Sequence, residues 1–511
     1  MARNAVPLGA ALVAVVVLAL TLGPLPLLLA EGAGQVQLAD WRALRFTLLQ
    51  AGLSALISGV LAVPVARALA RRRFRGRGVL IALMGAPFLL PVITVVLGLV
   101  AVYGQSGWLA AIGLPVPSIY GMGGVILAHV FLNLPLATRM ILLGWQSIPA
   151  ERFRLAAALT FDPTATARHL ERPMLREVLP GAILAVFLVC LTSFTVALTL
   201  GGGPAATTLE LAIYQAIRFE FDLPHAALLA LLQFAICAAA VPLATRLSRT
   251  ATFGPGLDRR LDLAPPGGWR RGADLAALLL AAGFLFLPLL ALAWRGLAGL
   301  AELPPQVWSA LWPAIWRSVG VALVAALLAV AAALTLAQAV ARGRSTFDVV
   351  AMLPLAASPL VLGTGLFLLV FPWISPVQAA LPLTMLVNAT LALPFAFRLL
   401  LPETRALEAG YGRLAASLGI AGRARLRIVT LPRLRRPLGF AMGVAAALAM
   451  GDLGAIALFA SEGSATLPLL VQRLMGVYRT GDAAAVALVL IAVNLALFWT
   501  FDAWGRRDAD A

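Results

Sequence analysis

The chain has 511 residues, 61% of them hydrophobic and 12% charged, and its 39 basic against 22 acidic side chains leave a formal charge of +17. So apolar a composition excludes a soluble globular fold and places the chain in the polytopic membrane class. Every basic residue is Arg, which excludes a G-x-x-x-x-G-K phosphate loop and Lys-based nucleophile or Schiff-base chemistry, so any ATP must be bound by another subunit.

In lipid the backbone must satisfy its own hydrogen bonds, and the apolar runs far exceed the ~9–11 alternating residues of a barrel strand. The expected fold class is therefore an all-α polytopic membrane protein. Cys190 and Cys237 fall in separate apolar segments and imply no disulfide framework. His129, His169 and His225 lack ligand spacing, so no metal site is expected, and there is no catalytic constellation or cofactor motif. The Arg residues sit in short segments between apolar runs, a pattern of membrane topology rather than of nucleic-acid binding.

The first run, Ala5 to Leu29, is longer than the ~7–15-residue core of a signal peptide and is read as a retained span, cleavage near Ala30 being the competing reading. Further spans are expected at 44–70, 78–103, 122–144, 179–201, 225–247, 272–295, 314–341, 347–371, 377–400, 436–459 and 484–504. That makes twelve, with both termini on one side. The Arg-rich segments Arg71–Arg77, 145–178, 246–271, 403–435 and Gly505–Arg507 share that side, whereas 104–121 and 372–383 carry no charge. The Arg-rich side is the cytoplasm by the positive-inside rule.

Two tandem six-helix halves follow from an internal repeat. Ala66–Arg71 (Ala-Arg-Ala-Leu-Ala-Arg) answers Ala337–Arg342 (Ala-Gln-Ala-Val-Ala-Arg), each closing the second span of its half. The expected organisation is a first helix and periplasmic loop at 1–42, a first transmembrane domain at 43–247, and a linker at 248–271. A seventh helix with its loop at 272–313, a second domain at 314–504 and a tail at 505–511 complete it. The linker is rich in Arg, Pro and Gly. Parallel duplication of this kind is a transporter signature.

The clearest repeat lies in two loops. Arg413-Leu414-Ala415-Ala416-Ser417-Leu418-Gly419 is followed after nine residues by Val429-Thr430-Leu431-Pro432. Arg154-Leu155-Ala156-Ala157-Ala158-Leu159-Thr160 is followed after the same gap by Leu170-Glu171-Arg172-Pro173. Asp162-Pro163 offers an N-cap acceptor before a fixed φ, and Gly419 suits a left-handed turn, so each loop reads as helix, sharp turn, helix. Small side chains at Ala156–Ala158 and Ala415–Ala416 would admit a close-packed surface, and the same alanines also favour helix. The first turn, with Thr160 in place of Gly, is expected to be the less demanding of the two.

This spacing resembles the "EAA" coupling loop of binding-protein-dependent ABC importer permeases: Glu-Ala-Ala, three residues, Gly, nine residues, an aliphatic, one residue, Leu-Pro. The resemblance implies a type I importer permease fold whose loops dock on an ATPase. Arg154 and Arg413 stand at the Glu position, Leu155 and Leu414 at the first Ala, and Ala156 and Ala415 at the second. Thr160 and Gly419 stand at the Gly, Leu170 and Val429 at the aliphatic, Leu431 at the Leu, where the first copy has Arg172, and Pro173 and Pro432 at the Pro. With Arg in place of Glu, the family's usual ion-pair polarity does not carry over.

Cargo is signalled by Leu191–Pro204, Thr207–Gln215, Met450–Phe459 and Thr466–Leu470. These resemble the fused two-domain permease of thiamine and thiamine pyrophosphate importers, over about 43–500. The resemblance implies two ATPase subunits, a periplasmic thiamine-binding protein and an inner-membrane location, with a ferric-iron permease as the alternative and a twelve-span secondary transporter more remote. Asp452 lies mid-span, with Thr192 and Ser193 at equivalent depth. A mid-span carboxylate calls either for a wet cavity or for neighbouring helices as partners. Gly201-Gly202-Gly203-Pro204 reads as a flexible exit loop, not a phosphate cradle.

Overall fold

The computed structural model describes residues 8–32, 36–72, 74–85, 89–247, 268–375, 378–460 and 462–506. Most of the expected linker, 248–267, and the tail after Arg506 lie outside the described residues. Those described contain helices and no strand. Among the described residues, eleven helices are long and apolar enough to cross a bilayer, twelve if one bent pair counts as a span.

The principal helices of the first half are α1 (Leu8–Leu22), α2 (Pro24–Glu31), α3 (Leu38–Arg71), α4 (Val92–Tyr103), α5 (Met122–Gln146), α6 (Ala150–Ala158), α7 (Arg172–Leu191), α8 (Phe194–Leu200), α9 (Leu209–Gln215) and α10 (Leu223–Leu247). In the second they are α11 (Trp269–Ala301), α12 (Pro305–Ala341), α13 (Thr346–Met352), α14 (Pro359–Val370), α15 (Ala380–Ser417), α16 (Arg435–Gly451), α17 (Gly454–Phe459), α18 (Leu467–Gly476) and α19 (Thr480–Arg506).

Small residues explain the tightest packing. On α3, Ala51, Ser54, Ala55, Ser58, Gly59 and Ala62 are buried, while Leu49, Leu53, Leu56 and Val60 point outward. The small stripe lets α5 and α7 approach closely, as lipid-facing helices require when no hydrophobic gain separates lipid from protein. On α12 the buried stripe is Ala322, Ala325, Ala326, Ala329 and Ala333, packed on α15 and α16.

The halves interlock. Helix α1 packs on α12 and α13, and α11 packs on α3 and α4. Reciprocally, α4 meets α18 and α19, and α14 meets α2, α9 and α10.

Five expected spans are not continuous, the first of them dividing at Gly23 into α1 and α2. The run 78–103 is a short helix Arg77–Leu83 followed by α4. In 347–371, the helical segment Thr346–Ala356 meets α14 at 93°, because Pro354 ends one segment and Ser358-Pro359 starts the next, the Ser358 hydroxyl accepting the Val361 N–H at 3.0 Å. The runs 179–201 and 436–459 break between α7 and α8 at Thr192–Ser193, and between α16 and α17 at Asp452–Leu453. The run 377–400, by contrast, extends through Ser417 as one helix, whereas the first half breaks after Gln146. Pro149 stands where the second half has Glu408, and proline's ring clashes with the carbonyl four residues back.

Candidate functional site

The two repeated loops are superimposable in their hydrogen bonds. After α6, the Thr160 N–H donates to Ala157 O at 3.0 Å and the Phe161 N–H to Ala156 O at 2.9 Å; at the end of α15, Gly419 donates to Ala416 O at 3.2 Å and Ile420 to Ala415 O at 2.9 Å. This double closure is the Schellman motif, whose first residue past the cap takes left-handed backbone. Accordingly Gly419 has φ +65° and Thr160 φ +54°. The expectation that the first turn is less demanding is thus corrected: both turns are left-handed, and the first imposes that conformation on a β-branched residue.

Beyond each turn the chain re-enters helix. Asp162 accepts the Ala165 N–H at 2.7 Å, and that bond holds its carboxyl below the usual range. Five-residue π-helical turns follow at Ala167–Glu171 and Leu426–Thr430. Each immediately precedes Arg172-Pro173 or Leu431-Pro432. Proline has no N–H to give and crowds the carbonyl four residues earlier, and widening the ladder to i→i+5 relieves both problems.

These turns fix what each loop presents. Leu155 (60% exposed) and Leu159 (56%) face outward on the first, Leu414 (54%) and Leu418 (64%) on the second. Ala156 and Ala415 are buried against the body of the protein, Arg413 is exposed and Arg154 half-buried. Leu170 and Val429 are half-buried, while Leu431, Pro173 and Pro432 are exposed. Of the alanines expected to admit a partner, Ala157, Ala158 and Ala416 are exposed. The apolar contact face is the leucine pair four residues apart, of which Leu159 and Leu418 were not singled out from sequence. Matched exposed apolar side chains on a rigid turn suit docking of another protein.

Ion pairs tie each loop to the end of its second span. Glu171 pairs with Arg71 and, at 3.2 Å, with Arg67 Nε. Glu408 pairs with Arg425 at 2.6 Å and lies 3.8 Å from Arg342. Arg71 and Arg342 are the matching residues of the repeated hexapeptide. Their acids do not match: Thr430 stands where Glu171 would be, and Pro149 where Glu408 would be. Sequence reasoning missed both acids, and only the matched Arg pair signalled them.

Deeper in the membrane, the helix breaks gather a second polar set. At the first, the Ser193 hydroxyl is 2.8 Å from His129 Nε2, and Thr192 Oγ1 lies 3.4 Å from Val189 O. At the second, Asp452 accepts the Gly454 N–H at 3.2 Å and the Ala455 N–H at 3.1 Å, so it caps α17. Asn388 lies beside it. His129 and Asn388, like Ser193 and Asp452, are 259 residues apart. The structure thus brings Ser193 to a histidine and Asp452 to an asparagine at equivalent places, and neither partner was singled out from sequence.

Matching hydroxyls anchor the short helices after each break. Thr47 Oγ1 accepts the Leu209 N–H at 2.9 Å, and Ser318 Oγ accepts the Leu467 N–H at 2.8 Å. Between α8 and α9, Gly202 and Gly203 take φ +72° and +137° and border a cavity of about 470 Å³ with Phe46, Ser118, Tyr120 and Met122.

No family model matches the chain. The thiamine transport system permease protein ThiP of Brucella abortus (strain 2308) is 40% identical over 487 residues, covering 92% of this chain and 89% of that protein. Its namesake in Escherichia coli (strain K12) is 39% identical over 490 residues, 92% and 90%. That of Haemophilus influenzae is 36% identical over 488 residues, 91% and 88%. A probable sulfate transport system permease protein of Zygnema circumcarinatum is 33% identical over 145 residues, 28% of this chain and half of that protein.

An all-helical polytopic chain with two matched left-handed turns and permease relatives of more than one kind is a permease of the ABC importer class, a transport component and not an enzyme. Within that class, the identity across some nine-tenths of both chains is decisive: the chain belongs to the family of thiamine transport system permease proteins.

Proposed function

We propose that this protein is the membrane subunit that moves thiamine or thiamine pyrophosphate inward, received from a periplasmic binding protein and driven by two ATPase subunits. The observation that carries the reading is the pair of Schellman turns with outward leucines, one per half: two equivalent docking faces on one chain suit two copies of an ATPase. The thiamine assignment rests on the names of relatives that align across nearly the whole chain.

The distribution of Arg supports a cytoplasmic side for both turns and both termini, in a bacterial inner membrane. The functional units are 43–247 and 314–504, joined by 248–271 and each preceded by a helix that packs on the other half, with 505–511 as a tail. The ATPase contacts run through Leu155, Thr160, Leu414 and Gly419, with the ladder to Pro173 and Pro432 setting their angle. Thr192, Ser193 and Asp452, at the helix breaks, line the route.

Stimulation of ATP hydrolysis in the reconstituted complex tests the cargo. Binding protein loaded with thiamine is expected to raise hydrolysis severalfold over the unloaded protein, and a ferric-loaded binding protein is not. Stimulation by ferric iron instead would transfer the assignment to the iron alternative.

A further inference from the structure

Glu210 is fully buried, its carboxylate turned toward the Ser358 hydroxyl and the Gln233 side chain. It lies on α9 beside Gln233 of α10 and Ser358, the residue that caps α14. Gln233 is also fully buried; its amide donates to Leu191 O at 2.9 Å while its Oε1 has no donor. Gln50, buried on α3, repeats the arrangement one carbonyl earlier, donating to Cys190 O at 3.0 Å with its Oε1 unmet. Two amide oxygens, Gln233 Oε1 and Gln50 Oε1, are therefore buried at the end of α7 without a donor among the described residues, and the Glu210 carboxylate lies beside the first. Buried polar atoms are almost always paired, and each one left without a partner costs ~1–3 kcal/mol.

The place is where the halves meet. Helices α9 and α10 of the first half pack there on α14 of the second, and a permease that alternates access must part such a seam. The seam is not symmetric. Thr466-Leu467 answers Thr208-Leu209, so Pro468 stands at the place of Glu210, and on the matching helix Asn494 donates to Leu89 O at 2.5 Å. The second half thus has no carboxylate at its copy of the site, and its mid-span acid, Asp452, is engaged by two backbone N–H groups.

We propose that Glu210, with Gln233 and Gln50, forms a single-cation site at the seam that receives the positively charged ring of the cargo as the halves part. This deepens the thiamine reading and rests on it: thiamine offers one thiazolium charge and an aminopyrimidine donor to a site that has one carboxylate and two amide oxygens.

The test is labelled thiamine uptake by proteoliposomes holding the permease, its ATPase and its binding protein, with the amount of assembled complex measured in parallel. Glu210→Gln keeps the shape and supplies a donor to Gln233, as a merely structural neutral carboxyl would, but removes the charge. It is expected to assemble normally and to lose uptake by tenfold or more. Glu210→Leu, which removes the carboxyl altogether, is expected to assemble as well and to transport as poorly. Wild-type uptake in either variant overturns the proposal, as does failure of both to assemble, which would make Glu210 a packing group. Absence of uptake by the wild-type complex would overturn the thiamine reading together with this site, whereas normal uptake by Glu210→Gln overturns this site alone.

Discussion

Exchanging the residues at the two left-handed turns should move ATPase binding in opposite directions. Gly419→Thr puts a β-branched residue at φ +65°, and a Cβ built there meets nothing within 4 Å, so the cost is that of the backbone alone. Left-handed backbone costs an L-residue roughly 1–2 kcal/mol. Thr160 already bears this cost at φ +54°, offset in part by its exposed hydroxyl donating to Leu159 O at 2.8 Å. Thr160→Gly removes the strain but adds chain entropy to the unfolded loop, leaving a gain of about 0.5–1 kcal/mol. Because ~1.4 kcal/mol is a factor of ten in affinity, Gly419→Thr should weaken ATPase binding at the second loop roughly 5–30-fold. Thr160→Gly should tighten it a few-fold at the first. Titration of the ATPase onto the permease in nanodiscs reads both numbers. A loss of affinity in Thr160→Gly, or no change in Gly419→Thr, would refute the argument that the turns present the docking face.

Two further outcomes follow from the same loops. Leu159→Asp and Leu418→Asp, both on exposed side chains, should abolish ATPase retention on affinity purification without changing the permease's unfolding temperature; a drop in that temperature would mean the leucines pack internally. Glu171→Gln leaves two Arg side chains facing a buried site and should cost about 3 kcal/mol, whereas Glu408, a quarter exposed, should cost under about 1 kcal/mol. Thermal unfolding in detergent ranks the two, and the reverse order would refute the burial argument.

The spans and the loops were legible because each is a local or periodic signal: long apolar runs, and a motif whose spacing recurs after 259 residues. Gly419 could be assigned a left-handed turn from residue type alone. Thr160 could not, since the hydrogen bonds that force its conformation come from Ala156 and Ala157 and override its preference. The breaks at Thr192–Ser193 and Asp452–Leu453 were hidden inside unbroken apolar runs, where a few polar residues do not reveal that a helix stops. Asp452 was visible as a mid-span acid, but its capping role depends on the break it helps to create. Glu210 lay within a quoted segment and was passed over, because what makes it unusual comes from residues 233 and 358 in other helices. Glu171 likewise finds its partners about a hundred residues away.

The account's central claim is tested most directly by uptake into proteoliposomes that contain the permease, its ATPase and a thiamine-loaded binding protein. Accumulation of labelled thiamine should require ATP on the side of the ATPase and persist when a protonophore collapses the proton gradient. Uptake that proceeds without ATP and disappears with the gradient would contradict it and identify a secondary transporter.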